Sequence, residues 1–263
     1  MDLFETVLYQ VEDGVAMITL NRPQARNSLN QRLRLELRQA VEKASADDGV
    51  RAAIITGAGA GFCAGADLTE RLPGAAENGF VTRILHEEYH PLILAIRNSP
   101  KPFIGAINGA AAGVGASLAM CCDLLLMTED AFLYSAFGQI SLIPDGGFHK
   151  MLLEQLGSKR AYEMVALSQK LESSRCVELG LVNRVVPADR LIEETKNLAA
   201  RLCAAAPLTL QYSKQIFREA QSYDLESVMA LEAEIQNQMF RSRDFREGAA
   251  SFFEKRKPVF EGC

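Results

Sequence analysis

Three glycine-rich segments hold the residues best suited to chemistry. The first runs from Gly57 to Leu68 and ends Phe62-Cys63-Ala64-Gly65-Ala66-Asp67-Leu68. Small side chains there let a ligand approach the main chain and use an N–H as donor. The same letters also suit a tight loop before a helix, with Asp67 as its cap. The second is Ile107-Asn108-Gly109-Ala110-Ala111-Ala112-Gly113-Val114-Gly115-Ala116-Ser117. A strand running through small residues into a helix leaves N–H groups unpaired at the helix start, backed by the helix dipole. Such a place suits an anion or a developing oxyanion; close strand–helix packing is the alternative. No Gly-Lys-Ser/Thr follows, and Gly113-Val114-Gly115 lacks the third glycine of the dinucleotide fingerprint. The third is Ile143-Pro144-Asp145-Gly146-Gly147. Pro-Asp-Gly is a turn by itself, so Asp145 reads equally as turn former and as acid or base. Serine and cysteine nucleophiles find little support: there is no Gly-x-Ser-x-Gly, and no histidine is tied to Ser117 or Ser141 by spacing.

Composition narrows the classes of function. The 263 residues carry 28 Lys+Arg against 33 Asp+Glu, a formal net charge of −5. A weakly acidic chain with no basic run lacks the footprint of a nucleic-acid or anionic-lipid binder. Six scattered cysteines without a CxxC spacing, and three histidines, argue against a metal site. Free thiols, an acidic N-terminus without a long apolar run, and a C-terminal Glu261-Gly262-Cys263 that matches no organelle tripeptide lead us to expect a cytoplasmic protein. Phe103–Cys122 has no charge and the length of a membrane span, but it is mostly Gly and Ala and contains Asn108-Gly109. It reads as strand, loop and helix inside a core, with no membrane contact.

The elements that must position these loops follow from hydrophobic periodicity. Thr6–Val11 and Val15–Leu20 read as strands joined by an Asp13-Gly14 turn. Leu29–Ala44 has helical spacing, Ala52–Thr56 and Phe103–Ile107 read as strands, Phe80–Arg97 and Gly113–Cys122 as helices, and Leu124–Met127 and Ala131–Tyr134 as strands. Strands alternating with helices and fed by short Gly loops predict an α/β fold with parallel pairings. After Leu142 helices dominate, with Leu181–Val186 as a strand-like interruption. The expected organisation is an α/β core over residues 1–200 and a C-terminal helical region over 201–263. Pro73–Gly79 reads equally as a flap over the site and as an ordinary surface loop.

Taken in order, the motifs resemble the enoyl-CoA hydratase/isomerase (crotonase) family. The matching residues are Asn21-Arg22-Pro23, Phe62 to Leu68, Lys101-Pro102, Asn108 to Gly113, Asp123, Pro144 to Gly147, Gly180 to Val186 and Phe252-Phe253-Glu254-Lys255-Arg256. They span nearly the whole chain, and their joint order is far more specific than any one of them. The resemblance implies repeated ββα units, a C-terminal helical region that packs at trimer interfaces, and trimers commonly paired into hexamers. It implies an acyl-CoA thioester as ligand, with coenzyme A part of the substrate and no separate cofactor. The N–H groups of Ala66 and Val114 would hold the thioester oxygen. Main chain near Ala64, Ala66, Asp67 and Leu68 would grip the adenine and pantetheine parts, Arg26 would lie near the phosphates, and Phe252 and Lys255 would reach a neighbouring subunit's ligand.

Departures from the family pattern point to the chemistry. Hydratases of the family carry two glutamates that activate and protonate water, and at those positions this chain has Ser117 and Phe137. Without them the ordinary water-adding machinery is gone. Asp145 remains, where some isomerases of the family place an acid/base aspartate. The chain looks most like the branch of the phenylacetate-pathway ring-opening isomerase and the Δ3-Δ2 enoyl-CoA isomerases. An apolar wall, with Phe137 and Phe62 as candidates, would favour the neutral acid and exclude water. Alternatives are a hydratase with an unconventional water activator, an acyl-CoA-binding pseudoenzyme, and a 4-chlorobenzoyl-CoA dehalogenase-like enzyme. In the last, Asp145 would be nucleophile and His90 would activate water. The absence of tryptophan counts against it, and His90 reads better as a helix-end residue beside the site.

Overall fold

The chain enters through a hairpin in which β1 (Val7–Glu12) and β2 (Val15–Leu20) pair antiparallel, with Glu12 opposite Val15. Asp13 and Gly14 between them have φ of 49° and 77°, the two positive values a two-residue type I′ turn requires. In this computed structural model, residues 4–70 and 79–263 are described. The segment expected as flap or surface loop lies, except for Gly79, outside them.

From β2 the sheet grows by parallel pairing through β3 (Ala52–Gly57), β5 (Phe103–Ile107), β7 (Leu124–Thr128) and β10 (Arg184–Val186). Strands β3 and β5 are buried along their whole length, as parallel strands covered on both faces must be. Their side chains alternate between two apolar layers. Ala53 and Ile55 face the larger core with α1 (Gln31–Ala46) and the helix over residues 80–98. Ala52 and Ile54 face a smaller core closed by α6 (Leu191–Cys203) through Leu191 and Ala199. Asn30 caps α1, its side chain accepting from the Leu33 N–H.

A second, four-stranded sheet holds β4 (Gly61–Cys63), β6 (Ala110–Ala112), β8 (Phe132–Tyr134) and β9 (Lys170–Glu172), in that order. Each of β3, β5 and β7 is followed directly by a member of this small sheet. Helix α2 (residues 80–98), α3 (Val114–Met120) or α4 (Phe148–Ala166) then completes the unit, and the short α5 (Ser173–Glu178) follows β9. This is a repeated ββα architecture with a helical C-terminal region, α7 (Pro207–Ala220), α8 (Leu225–Met239) and α9 (Arg243–Glu254). Helix α6 runs through residue 200 while lying on the sheet.

Differences from the sequence expectation are local. Strands β4, β6 and β9 have three residues each, too few to show a period of two. The expected helix over Gly113–Cys122 is shorter, Val114–Met120, because Ala110–Ala112 pairs with both neighbours and Gly113 breaks the helix geometry at φ 54°. Helix α2 consists of Phe80–Ile84, a π-helical turn Leu85–Tyr89 and His90–Asn98. Pro91 supplies no N–H to an α-helical ladder, and the His90 N–H reaches back to the Leu85 carbonyl. Residues 148–166 form one helix with a sharp non-helical break at Gly157, φ 72°. Among the described residues no helix is long and apolar enough to cross a membrane.

Candidate active site

Three neighbouring strands of the small sheet deliver the site side by side. Gly61 and Cys63 of β4 pair with Ala110 and Ala111 of β6, and Ala112 pairs with Tyr134 of β8. Residues just past these strands are therefore neighbours: Ala64–Ala66, Gly113–Val114 and, in the 3-10 turn Ala136–Ile140, Phe137.

The closeness of the first two loops depends on glycine. Gly65 has φ 98°, and a Cβ placed on it would lie 2.8 Å from the Ala112 carbonyl oxygen and 3.7 Å from the Gly113 Cα. Any side chain there would force the loops apart. The residue after each glycine supplies an amide. Leu29 pairs with the strand-like stretch at Ala66, its N–H donating to the Gly65 carbonyl at 2.7 Å and its carbonyl accepting from the Asp67 N–H at 3.2 Å. Alternation along an extended chain turns the Ala66 N–H away from Leu29. Val114 opens α3. Neither amide, Ala66 or Val114, has a protein acceptor among the described residues. Helix α3 is only seven residues long, so the amide itself matters here more than the summed dipole.

The third loop packs on the second. A Cβ on Gly146 would lie 3.2 Å from Val114 Cγ2 and 3.0 Å from Ser117 Cβ. The Ser117 hydroxyl donates to the Asp145 carbonyl at 2.9 Å. Asp145 is half-buried, and Gly146 and Gly147 both take left-handed φ, 63° and 80°. The structure thus places Asp145 as a turn residue whose turn abuts Val114. Phe137 is buried, with its ring edge 3.9 Å from a Cβ built on Gly113 and its centroid 6.0 Å from that of Phe148. Ser117 and Phe137 therefore flank the two amides with a hydroxyl and an aromatic ring. Phe62, the other candidate wall residue, is fully buried in the main core.

The remaining expected residues divide. Arg26 is exposed with φ 50°, and its carbonyl accepts from the Ala64 N–H at 3.0 Å, so it adjoins the first loop. Its guanidinium forms no ion pair with a described residue, which leaves it available to an anion. Ala64 and Leu68 are exposed at the loop's rim. Asp67 is different. Its carboxylate accepts from Arg22 at 2.9 Å, Thr69 Oγ1 at 2.7 Å and Ser28 Oγ at 3.3 Å, and its N–H is used by Leu29. That is a loop-tying and capping role, and the Asp67 carbonyl also already accepts from the Glu70 N–H at 3.3 Å. Burial tends to raise its carboxyl, but the hydrogen bonds from Thr69 and Arg22 outweigh burial and hold it below its usual value of 3.8. Phe252 and Lys255 project to solvent at the end of α9 and make no polar contact with the site loops among the described residues. His90 is half-buried, its ring 5.0 Å from that of His86. Cys121 and Cys122 are core side chains, as expected.

Sequence reasoning missed the residues that brace the loops. The Asn27 amide donates to the carbonyls of Ala58 and Gly61, and Asn108 closes on both polar groups of Gly57. Arg34 is buried on α1 and gripped by Glu88. A signal for Arg34 existed: it shares a helix face with Leu37 and Val41 at spacings of three and four, so a charge stands in the apolar stripe. No group of three His, Cys, Asp or Glu that could hold a metal occurs among the described residues.

Comparison with known proteins agrees with this geometry. The family model described as enoyl-CoA hydratase/isomerase matches residues 10–263. A probable enoyl-CoA hydratase of Rhodobacter capsulatus is 38% identical over 259 residues, covering 98% of this chain and 99% of the relative. The 1,2-epoxyphenylacetyl-CoA isomerase of Escherichia coli is 35% identical over 263 residues, covering 99% and 100%. Among solved structures, an enoyl-CoA hydratase from Polaromonas sp. JS666 superposes with a TM-score of 0.92 at 32% identity, covering 97% of this chain and 99% of that one.

Proposed function

The chain belongs to the enoyl-CoA hydratase/isomerase family, and from that premise we propose that it moves a double bond from the 3- to the 2-position of an enoyl-CoA thioester, using Asp145 to carry the proton. The observation that carries this reading is the packing of the Asp145–Gly146 turn on Val114 and Ser117, beside the two outward amides. The carboxylate takes a proton from C2. The electron pair moves through C1 onto the thioester oxygen, where the N–H groups of Ala66 and Val114 stabilise the dienolate. The carboxylic acid then returns the proton at C4, and the collapsing dienolate leaves the double bond between C2 and C3. One carboxylate suffices, because the group that takes a proton from C2 as a base can, as the acid and after exchange with solvent, deliver one at C4. Phe137 sets an apolar ring beside Gly113, next to the Val114 amide, which disfavours water as a reactant.

Substrate grip follows the same loops. Arg26 suits the phosphates of coenzyme A, and the rim at Ala64, Asp67 and Leu68 offers main chain to the nucleotide and pantetheine. Coenzyme A enters as part of the substrate, with no further cofactor. Phe252 and Phe253, 78% and 82% exposed, suit burial against another copy, in keeping with a trimer or hexamer.

Hydration of a 2-enoyl-CoA is the second reading. The names of several relatives favour it; Ser117 and Phe137, which cannot act as the two water-handling carboxylates, weigh against it. Incubation in D2O separates the two. Isomerisation predicts conjugated 2-enoyl-CoA from a 3-enoyl-CoA, with label at C2 or C4, and loss of both in Asp145→Asn. Formation of 3-hydroxyacyl-CoA from 2-enoyl-CoA at a comparable rate, or full activity of Asp145→Asn, would overturn the proposal.

A further inference from the structure

The Ala66 amide is braced from behind by a buried polar cluster that the reaction itself does not use. Leu29 is bonded to both neighbours of Ala66, so the position of Leu29 sets the position of the amide. The Leu29 carbonyl receives three donors: the Asp67 N–H at 3.2 Å, Arg34 Nη1 at 2.7 Å and the Tyr89 hydroxyl at 3.3 Å. A carbonyl has two lone pairs, so this oxygen is fully engaged. Arg34 is 3% exposed and is itself held by Glu88, whose Oε2 accepts from Nε at 2.7 Å and Nη2 at 2.6 Å while Oε1 accepts from Gln31 Nε2 at 3.0 Å. Its guanidinium also lies 4.9 Å from the centre of the Tyr89 ring.

Glu88 and Tyr89 both come from the π-helical turn of α2. Such turns are rare and recur where a helix must aim particular side chains. Here the turn brings a carboxylate and a phenol to the same arginine. An ion pair so deeply buried is a poor stability device, since an apolar pair of similar size would pack as well at no desolvation cost. What it supplies is a fixed direction: with the guanidinium plane set by Glu88, Nη1 makes its shortest bond, 2.7 Å, to the Leu29 carbonyl, with Glu70 Oε2 at 3.3 Å and the Tyr89 oxygen at 3.4 Å as longer contacts.

We propose that Arg34, oriented by Glu88 and seconded by the Tyr89 hydroxyl, is a positioning residue that holds the Ala66 amide at the thioester oxygen through Leu29. The inference rests on the oxyanion role proposed above for Ala66. It requires no contact between Arg34 and the substrate. Catalytic amides lose much of their effect when displaced by a fraction of an ångström to an ångström.

The test uses a conjugated aryl-enoyl-CoA, whose absorption moves to longer wavelength when its thioester oxygen accepts strong hydrogen bonds. The full-length protein is compared with Arg34→Met/Glu88→Leu, which removes both charges together, and with Tyr89→Phe. We expect the double variant to lose more than half of the red shift and to exchange C2 protons about tenfold more slowly. Its affinity for free coenzyme A should change less than about twofold, because that grip lies elsewhere. An unchanged red shift in a folded double variant, even one that melts earlier, overturns the inference. If the double variant does not fold, Tyr89→Phe decides: a reduced shift supports the brace, and an intact one overturns it. No red shift in the unaltered protein refutes the oxyanion role itself, a failure distinct from that of the brace.

Discussion

The Ser117 hydroxyl donates to the main-chain carbonyl of Asp145 at 2.9 Å, tying the residue at which a water-handling glutamate was expected to the residue proposed to carry the proton. Ser117 is fully buried on α3, one turn after Val114. The hydroxyl thus ties Asp145, the proposed proton carrier, to the helix that begins at Val114. Replacing it leaves a carbonyl short of a donor, a loss of about 1–3 kcal/mol. Ser117→Ala is expected to slow C2 proton exchange about tenfold or more while KM changes little, since no substrate-gripping group is touched. Steady-state kinetics with a 3-enoyl-CoA checks this; a raised KM with unaltered kcat would place Ser117 in binding instead.

Gly115 gives a steric test. A Cβ there would lie 2.3 Å from the Cys63 carbonyl oxygen and 2.9 Å from the Cys63 Cβ. Alanine gains about 1 kcal/mol of helix propensity, but the clash is with backbone, and relieving it costs about 1–3 kcal/mol or more. Gly115→Ala should therefore melt several degrees lower and lose proton exchange, because α3 and β4 carry the two amide loops. A variant as stable as the parent would mean that the loops tolerate separation.

Asp67 predicts a pH dependence. Its folded pKa lies below its ordinary value of 3.8; burial opposes the shift, and the bonds from Thr69 and Arg22 outweigh it. A carboxyl lowered on folding contributes stability above its unfolded pKa and loses that contribution as pH falls through the folded one. Asp67→Asn should cost about 1–2 kcal/mol at pH 7 and progressively less below about pH 4. Urea midpoints at neutral and acid pH measure the closing gap between parent and variant.

The thiols should react in a set order. Burial pushes Cys63 up to about 12 and Cys176 up to about 11, so neither forms thiolate near neutrality. Cys263 is exposed. A thiol-selective disulfide reagent at pH 8 should label Cys263 first, with Cys63 and Cys176 appearing only on unfolding. Peptide mapping after timed quenching shows the order, and early labelling of Cys63 would mean that β4 opens readily.

Much of the framework was legible in the residues alone. Asp13-Gly14 announces a type I′ hairpin, β3 and β5 are unbroken apolar runs, and the helical spacing of α1 survives intact, because these patterns depend only on neighbours along the chain. The three loops were legible for the same reason: glycine at 65 and 113 marks backbone that must come close to something, whereas naming Ala66 and Val114 as donors rested on the family resemblance. What it comes close to was not written locally. Three-residue strands exist only because partners lie beside them, so β4 and β6, and with them the meeting of Ala66, Val114 and Phe137, are products of tertiary pairing; β8 alone of the three site strands was read from its own residues. Asp67 could be capping residue or ligand contact until Arg22, 45 residues away, claimed its carboxylate. Arg34 gained its place only when a π turn 54 residues later presented Glu88. Periodicity reports which face of an element is buried; it carries no information about which distant polar group will meet a buried charge, and that is decided by the packing of whole elements.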